Sequence, residues 1–348
     1  MNAFRVVGDG TLVEETPFKQ AGTKLAPLTL PNLQGAAFTP IGTGLPLTVE
    51  VAHVYTGKYP RTILGSSPML ITSAIKNLTD VGAGAEAVNY LVKKVSKNAN
   101  FPSPPADTEG TRLVCYVPAV TASSTTVTLN MVFEIFPDAA FQEIGSIFSG
   151  LGALPIFLTQ SPYLLGAQSV LKVVQDIGDA IFNGKPSYSP TFTINFADIG
   201  TATDAGYQTY FNGKDDTTID GSTMTFVPNR GLIDPRTGAP YNGDAPYFVI
   251  AIDGAERDDL KGFAPLAATA DMLSTFFNIK DGGVIPVSDI VGIFSSANDV
   301  SYGEKALATK KKIADAPPGT DTTALQAQLK AYLANIQSDS LAKLFTNG

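Results

Sequence analysis

The sequence predicts an α+β fold: a mainly antiparallel, sandwich-like β body with a helical insertion and a helical C-terminal tail. Three observations carry this expectation. Short apolar segments alternating with a period of two recur along the chain, as at residues 45–55, 125–136 and 191–196. Residues 137–182 form a long apolar region whose centre, residues 144–171, is broken by glycine and proline rather than by charge. Near the end, Leu325, Leu329, Leu333 and Ile336 recur at helical spacing.

Residues 1–35 are rich in Pro, Gly and Thr and read as an extended arm, with a short strand at residues 4–7. The β-rich body is expected over residues 36–300. In residues 45–55, Leu47, Val49, Val51, His53 and Tyr55 are expected to share one face. A second strand covers residues 69–75. The spacing of Val88, Leu91, Val92 and Val95 predicts a helix over residues 84–97. Residues 98–110, with Pro102, Pro104 and Pro105, read as a loop. Residues 112–117 and 125–136 are expected to form an antiparallel hairpin, with Val127, Leu129, Met131, Phe133 and Ile135 on its apolar face.

The helical insertion is placed at residues 137–186. Its second helix starts where Ser161 can cap and Pro162 suits the first turn, and Asn183-Gly184-Lys185-Pro186 stops it. A strand follows at residues 191–196. Asn212-Gly213, Asp220-Gly221, Thr237-Gly238 and Asn242-Gly243 are turn signals and predict one or two short hairpins within residues 200–246. The apolar run at residues 247–252 is the best candidate for a central strand. A helix interrupted near Pro265 is expected over residues 258–278. The tail, residues 301–348, reads as two helices separated by Ala316-Pro317-Pro318-Gly319.

Composition excludes several classes. The chain has 348 residues, of which 44% are hydrophobic and 16% charged, so it can bury a core and is not a disordered chain. A net charge of −8 and an isoelectric point near 4.7 argue against nucleic acid as partner. Lys305, Lys310, Lys311 and Lys312 read as a solvated helix face. The lone Cys115 lies in a strand-like run and reads as a small core hydrophobe. The N-terminal residues show no apolar core of signal-peptide length, so a cytoplasmic protein is expected. Residues 144–171 carry no charge and are long enough to span a bilayer, but Pro155, Pro162 and four glycines break them. Two buried helices with a proline-containing link are the expectation. A membrane-active segment is the alternative.

Motifs of chemistry are fragmentary. Gly82-Ala-Gly-Ala-Glu-Ala87 matches the dinucleotide fingerprint in letters, but no strand runs straight into its first glycine. S-x-x-K occurs at Ser73–Lys76 and Ser169–Lys172 without the companion motifs that a serine–lysine enzyme needs. His53, the single histidine, reads as a satisfied core or cross-strand residue. Asp215, Asp216 and Asp220 resemble the start of a calcium loop, but Val227 stands where a bidentate Glu is required. No cofactor is expected. The most suggestive acidic group is Asp253, Glu256, Asp258 and Asp259 at the end of the central strand, a place where carboxylates hold divalent metals or substrate hydroxyls.

The leading expectation is a non-enzymatic interaction or self-assembly module, whose partner is a protein or a second copy of the chain, engaged through Leu325, Leu329, Leu333 and Ile336. The alternatives are a divalent-metal-assisted hydrolase centred on Asp253, Glu256, Asp258 and Asp259, and a membrane-active effector using residues 144–171.

Overall fold

The computed structural model describes residues 2–6, 12–14, 38–61, 65–76, 86–106, 108–151, 156–158, 180, 184–196, 205–211, 224–260 and 287–347. The chain is of the mixed α+β class. One antiparallel sheet contains β1 (Asn2–Val6), β2 (Leu12–Glu14), β3 (Leu47–Tyr55), β6 (Asn100–Pro102), β7 (Leu113–Val117), β11 (Gly206–Phe211) and β14 (Tyr247–Asp253). Its order is β2-β1-β11-β14-β3-β6, with β7 also paired to β3. A second antiparallel sheet has the order β10-β8-β4-β5-β9, built from β4 (Ser66–Lys76), β5 (Glu86–Ser96), β8 (Ser124–Val132), β9 (Ile156–Leu158) and β10 (Thr191–Asn195).

The two sheets share one apolar core. Val49, Val51, Phe248 and Ile250 come from the first sheet, and Met69, Ile71, Val127, Leu129 and Ile194 from the second. Such a core is what two facing sheets require. The apolar run at residues 247–252 is central, as expected: β14 lies between β11 and β3 and is buried along most of its length.

Four expectations are corrected. Residues 84–97 do not form a helix, because residues 86–96 are strand β5. The pairing of β4 with β5 shifts register twice, between Ser67 and Met69 and between Ile71 and Thr72. These irregularities interrupt the strict alternation of β5, so its apolar positions drift from a period of two towards the helical spacing of Val88, Leu91, Val92 and Val95. Asn89 occupies one of them, where its Nδ2 donates to the Leu113 carbonyl at 3.0 Å and ties the second sheet to β7.

Residues 112–117 and 125–136 are not a hairpin. β7 pairs with β3, whereas β8 pairs with β4 and β10. The link between them is pinned elsewhere: the Val120 amide donates to the Leu45 carbonyl at 2.9 Å, and its carbonyl accepts from the Gly44 amide at 2.8 Å. β8 stops at Val132, and Ile135, expected on its apolar face, is 93% exposed.

The single face expected for residues 47–55 is split. Register shifts between Val249 and Ile250, making Ala52 an extra residue on β3. Leu47, Val49, Val51 and Val54 therefore join the core between the sheets, while Tyr55 turns to a separate cluster on the other face.

The insertion is not wholly helical. It begins as α1 (Asp138–Leu151), but residues 156–158 are strand β9 against β5. Pro155, which cannot sit inside a helix, precedes that strand. The second insertion helix, the S-x-x-K at Ser169–Lys172, the acidic loop at 215–220 and most of the helix expected over 258–278 lie outside the described residues. At Asp258–Leu260 the chain forms a short 3-10 turn.

The chain ends in α2 (Val287–Ala314), α3 (Thr323–Ala334) and α4 (Asp339–Asn347). α3 packs on α2, with the rings of Tyr302 and Tyr332 at 6.2 Å. The Asn335 side chain fastens this layer to the β body: its Nδ2 donates to the Ala119 carbonyl at 2.7 Å, and its Oδ1 accepts from the Ala119 amide at 3.4 Å.

Candidate functional site

The face of the first sheet turned away from the shared core carries a second cluster of Tyr55, Phe211, Tyr247 and Val249, covered by Met224, Phe226 and Leu232. The cover is a two-stranded hairpin of β12 (Thr225–Val227) and β13 (Gly231–Ile233). Its turn is Pro228-Asn229, with the Arg230 amide donating to the Val227 carbonyl at 3.0 Å and Asn229 at φ 64°. Pro followed by a residue of positive φ suits such a tight turn.

Under the hairpin lies a polar network. Asn100 Nδ2 donates to the Arg230 carbonyl at 3.0 Å, which fixes Asn100 Oδ1 as an acceptor. His53 Nε2 lies 2.5 Å from that oxygen, so Nε2 carries a proton and donates to it. Tyr247 Oη accepts from the Leu232 amide at 3.0 Å and donates to Asn100 Oδ1 at 3.4 Å. The His53 ring stacks on Tyr247 with centroids 6.2 Å apart and meets the edge of Phe226 at 6.1 Å. Its other nitrogen, Nδ1, is buried without a hydrogen-bond partner.

Burial controls the acid–base chemistry of this cluster. It lowers the His53 imidazole below its ordinary 6.5, outweighing the opposing hydrogen bond to Asn100. It also pushes the Tyr247 phenol far up, so Tyr247 stays neutral. His53 is thus buried on its strand, as expected from sequence, but it is not the fully satisfied residue expected, because Nδ1 has no partner. No motif in the sequence points to its partners Asn100, Tyr247 and Arg230.

The acidic group at the end of β14 is drawn into local structure. Asp253 Oδ1 accepts from the Thr39 amide at 2.8 Å and from the Ala255 amide at 3.1 Å. Gly254 presses against the same incoming segment, where an added Cβ would lie 2.1 Å from the Pro40 carbonyl oxygen. Asp259 forms a two-pronged pair with Arg257, at 2.9 Å from Nε and 2.7 Å from Nη2. This pairing holds the Asp259 carboxyl below the usual range. Arg257 also reaches Glu50 at 3.5 Å, and Arg112 meets the other oxygen of Glu50 at 3.1 Å. Glu256 and Asp258 are exposed. Among the described residues, no three His, Cys, Asp or Glu side chains converge as a metal-binding group.

The remaining candidates fall as follows. Leu325, Leu329 and Leu333 are half-buried, and Ile336 is 8% exposed within the chain's own packing. Cys115 is buried, and burial pushes its thiol up to about 12. Gly82 and Gly84 lie outside the described residues, and Glu86 opens a strand, not the helix a dinucleotide site needs. Of residues 144–171, the described parts are the end of α1 and strand β9. No helix among the described residues is long and apolar enough to cross a membrane.

The helical layer leaves apolar side chains outside. Val300 is 47% and Leu307 52% exposed, and their seven-residue spacing puts them on one face of α2. Between them is Gly303, against whose missing side chain Phe345 of α4 packs. Leu344, the neighbour of Phe345, is 69% exposed. Comparison with known proteins found no matching family model, no similar curated protein and no similar solved structure.

Proposed function

We propose that this protein is a non-enzymatic self-assembly module whose partner is a second copy of the same chain. The observation that carries the reading is the exposure of three large apolar side chains on the helical layer, Val300 and Leu307 on one face of α2 and Leu344 on α4. Large exposed hydrophobics grouped on one surface mark interaction sites, whereas scattered single ones do not. Charge favours a second copy. Glu304 precedes Leu307 by three residues, Lys311 follows it by four, and both are exposed. Two α2 helices crossing antiparallel about Leu307 set each Glu304 against the other copy's Lys311. That is the self-complementarity a two-fold interface requires. Burial of the exposed apolar side chains drives association, and the exposed ion pairs select its register. The reading puts the protein in the cytoplasm, where a lone thiol such as Cys115 stays reduced.

Light scattering on a size-exclusion column tests it. The wild-type chain is expected at twice its 36.5 kDa mass or a higher multiple, and Leu307→Asp at the monomer mass with an unchanged circular dichroism spectrum. A monomeric wild type at all concentrations up to about 100 μM, well above common homodimer affinities, would overturn the proposal.

A further inference from the structure

We propose that the β12–β13 hairpin is an acid-released latch over the aromatic face of the first sheet, and that His53 is the group that releases it. The inference stands apart from the self-assembly reading and uses a different region of the chain.

Three features support it. First, the hairpin is held over the network by polar bonds that converge on two side chains. Arg230 gives its carbonyl to Asn100, and Leu232 gives its amide to Tyr247. Second, its backbone lies directly on the network. At Gly231, with φ 78°, an added Cβ would stand 2.5 Å from Tyr247 Oη, 2.7 Å from Asn100 Oδ1 and 2.7 Å from His53 Nε2. Third, the network has no place for another proton. Nε2 already donates, and Nδ1 has no partner to receive a donor. A protonated ring is therefore a buried cation with one unsatisfied N–H, which favours any state that admits water. The hairpin is the covering element whose movement admits it.

The titratable groups around the ring do not offset this cost. From β14 the ring faces Tyr247, which is neutral. From β6 it faces Asn100, which does not ionise. In the hairpin, the guanidinium of Arg230 donates to the Gly238 carbonyl at 3.3 Å and brings no negative charge to the ring. The Asp234–Arg236 pair after β13 is exposed and self-contained. On β3 itself, Tyr55 donates to the Gly243 carbonyl at 2.7 Å.

The direction with pH follows. The closed state holds His53 below its ordinary 6.5, and the open, hydrated state restores that value. The open state therefore binds the proton more tightly. Closure is at full strength above about 6.5 and weakens as pH falls from there through the depressed closed-state value.

Backbone hydrogen exchange in the full chain tests the latch, with rates corrected for the intrinsic effect of pH. Between pH 7.5 and pH 5.0, protection of residues 231–233 is expected to fall at least tenfold while that of β4 holds. His53→Gln keeps a donor for Asn100 and cannot titrate, so it is expected to stay protected at both values. Gly231→Ala is expected to be unprotected at both. The chain has one histidine, so its ring C–H resonance reports protonation without ambiguity and needs no variant. Loss of hairpin protection that follows this titration supports the latch. A ring that titrates while the hairpin stays protected overturns it, as does an acid response that survives in His53→Gln.

Discussion

Asn100→Ala removes the hub of the buried network, and its cost can be worked from the bonds that meet there. Asn100 accepts from His53 Nε2 at 2.5 Å and from Tyr247 Oη at 3.4 Å, and donates to the Arg230 carbonyl at 3.0 Å. The His53 ring has no escape after the change. Moving the proton to Nδ1 leaves it equally unpaired, because Nδ1 has no partner either. One buried N–H is orphaned in both tautomers, at about 1–3 kcal/mol. Tyr247 can turn its hydroxyl while still accepting from Leu232, and the exposed side of the Arg230 carbonyl can take water. Those two losses together add about 1 kcal/mol. The expected total is about 2–4 kcal/mol, read as the shift in midpoint of urea unfolding at pH 7.5 at constant slope. A double-mutant cycle with His53→Phe isolates the pair. Since Phe brings no N–H to orphan, the double variant is expected to cost less than the sum of the singles by about 1 kcal/mol or more. A cost below about 0.5 kcal/mol for Asn100→Ala, the range of ordinary surface changes, would refute the burial argument.

Two further outcomes follow from the same reasoning. Cys115, buried with its thiol pushed up to about 12, should resist alkylation in the native protein at pH 8 and react at once in denaturant. Asn335→Ala breaks the bonds to Ala119 that fasten the helical layer, and should cost about 2 kcal/mol. Its readout is faster proteolytic cutting near residues 315–322, and unchanged cutting there would argue against that fastening role.

The regular parts of the fold are legible in the sequence, and the parts that depend on irregularity are hidden. Residues 191–196 alternate cleanly, and β10 buries Phe192 and Ile194 while exposing Thr191 and Thr193. The run at 247–252 reads as central because both its faces are apolar, and both faces are buried. β5 reads as a helix because two register shifts change its period, and a bulge leaves no letter of its own in the sequence. His53 is recognisable as buried from its apolar neighbours on β3. Its partners are not, since Asn100 is 47 residues away in a proline-rich segment and Arg230 lies 130 residues beyond Asn100. The Pro228-Asn229 turn that sets the hairpin over them is a weaker signal than the Asn-Gly and Asp-Gly pairs around it. On the helical layer, apolar residues at helical spacing look alike whether they face the body or solvent. The spacing that points to Ile336 as a partner surface therefore leads to a buried residue, while Val300 and Leu307 are the exposed ones.

Self-association through α2 is tested most directly by exchanging its charges. In a Glu304→Lys homodimer, lysine faces lysine at both crossings. In a Lys311→Glu homodimer, glutamate faces glutamate at both. Each variant alone should dimerise more weakly than the wild type in light scattering across a dilution series. Mixed in equal amounts, they should form a one-to-one dimer, because only the mixed pair sets the introduced lysine against the introduced glutamate and keeps a native Glu304 facing a native Lys311. Two variants that each dimerise like the wild type, or a mixture that stays monomeric while the wild type dimerises, would contradict the account.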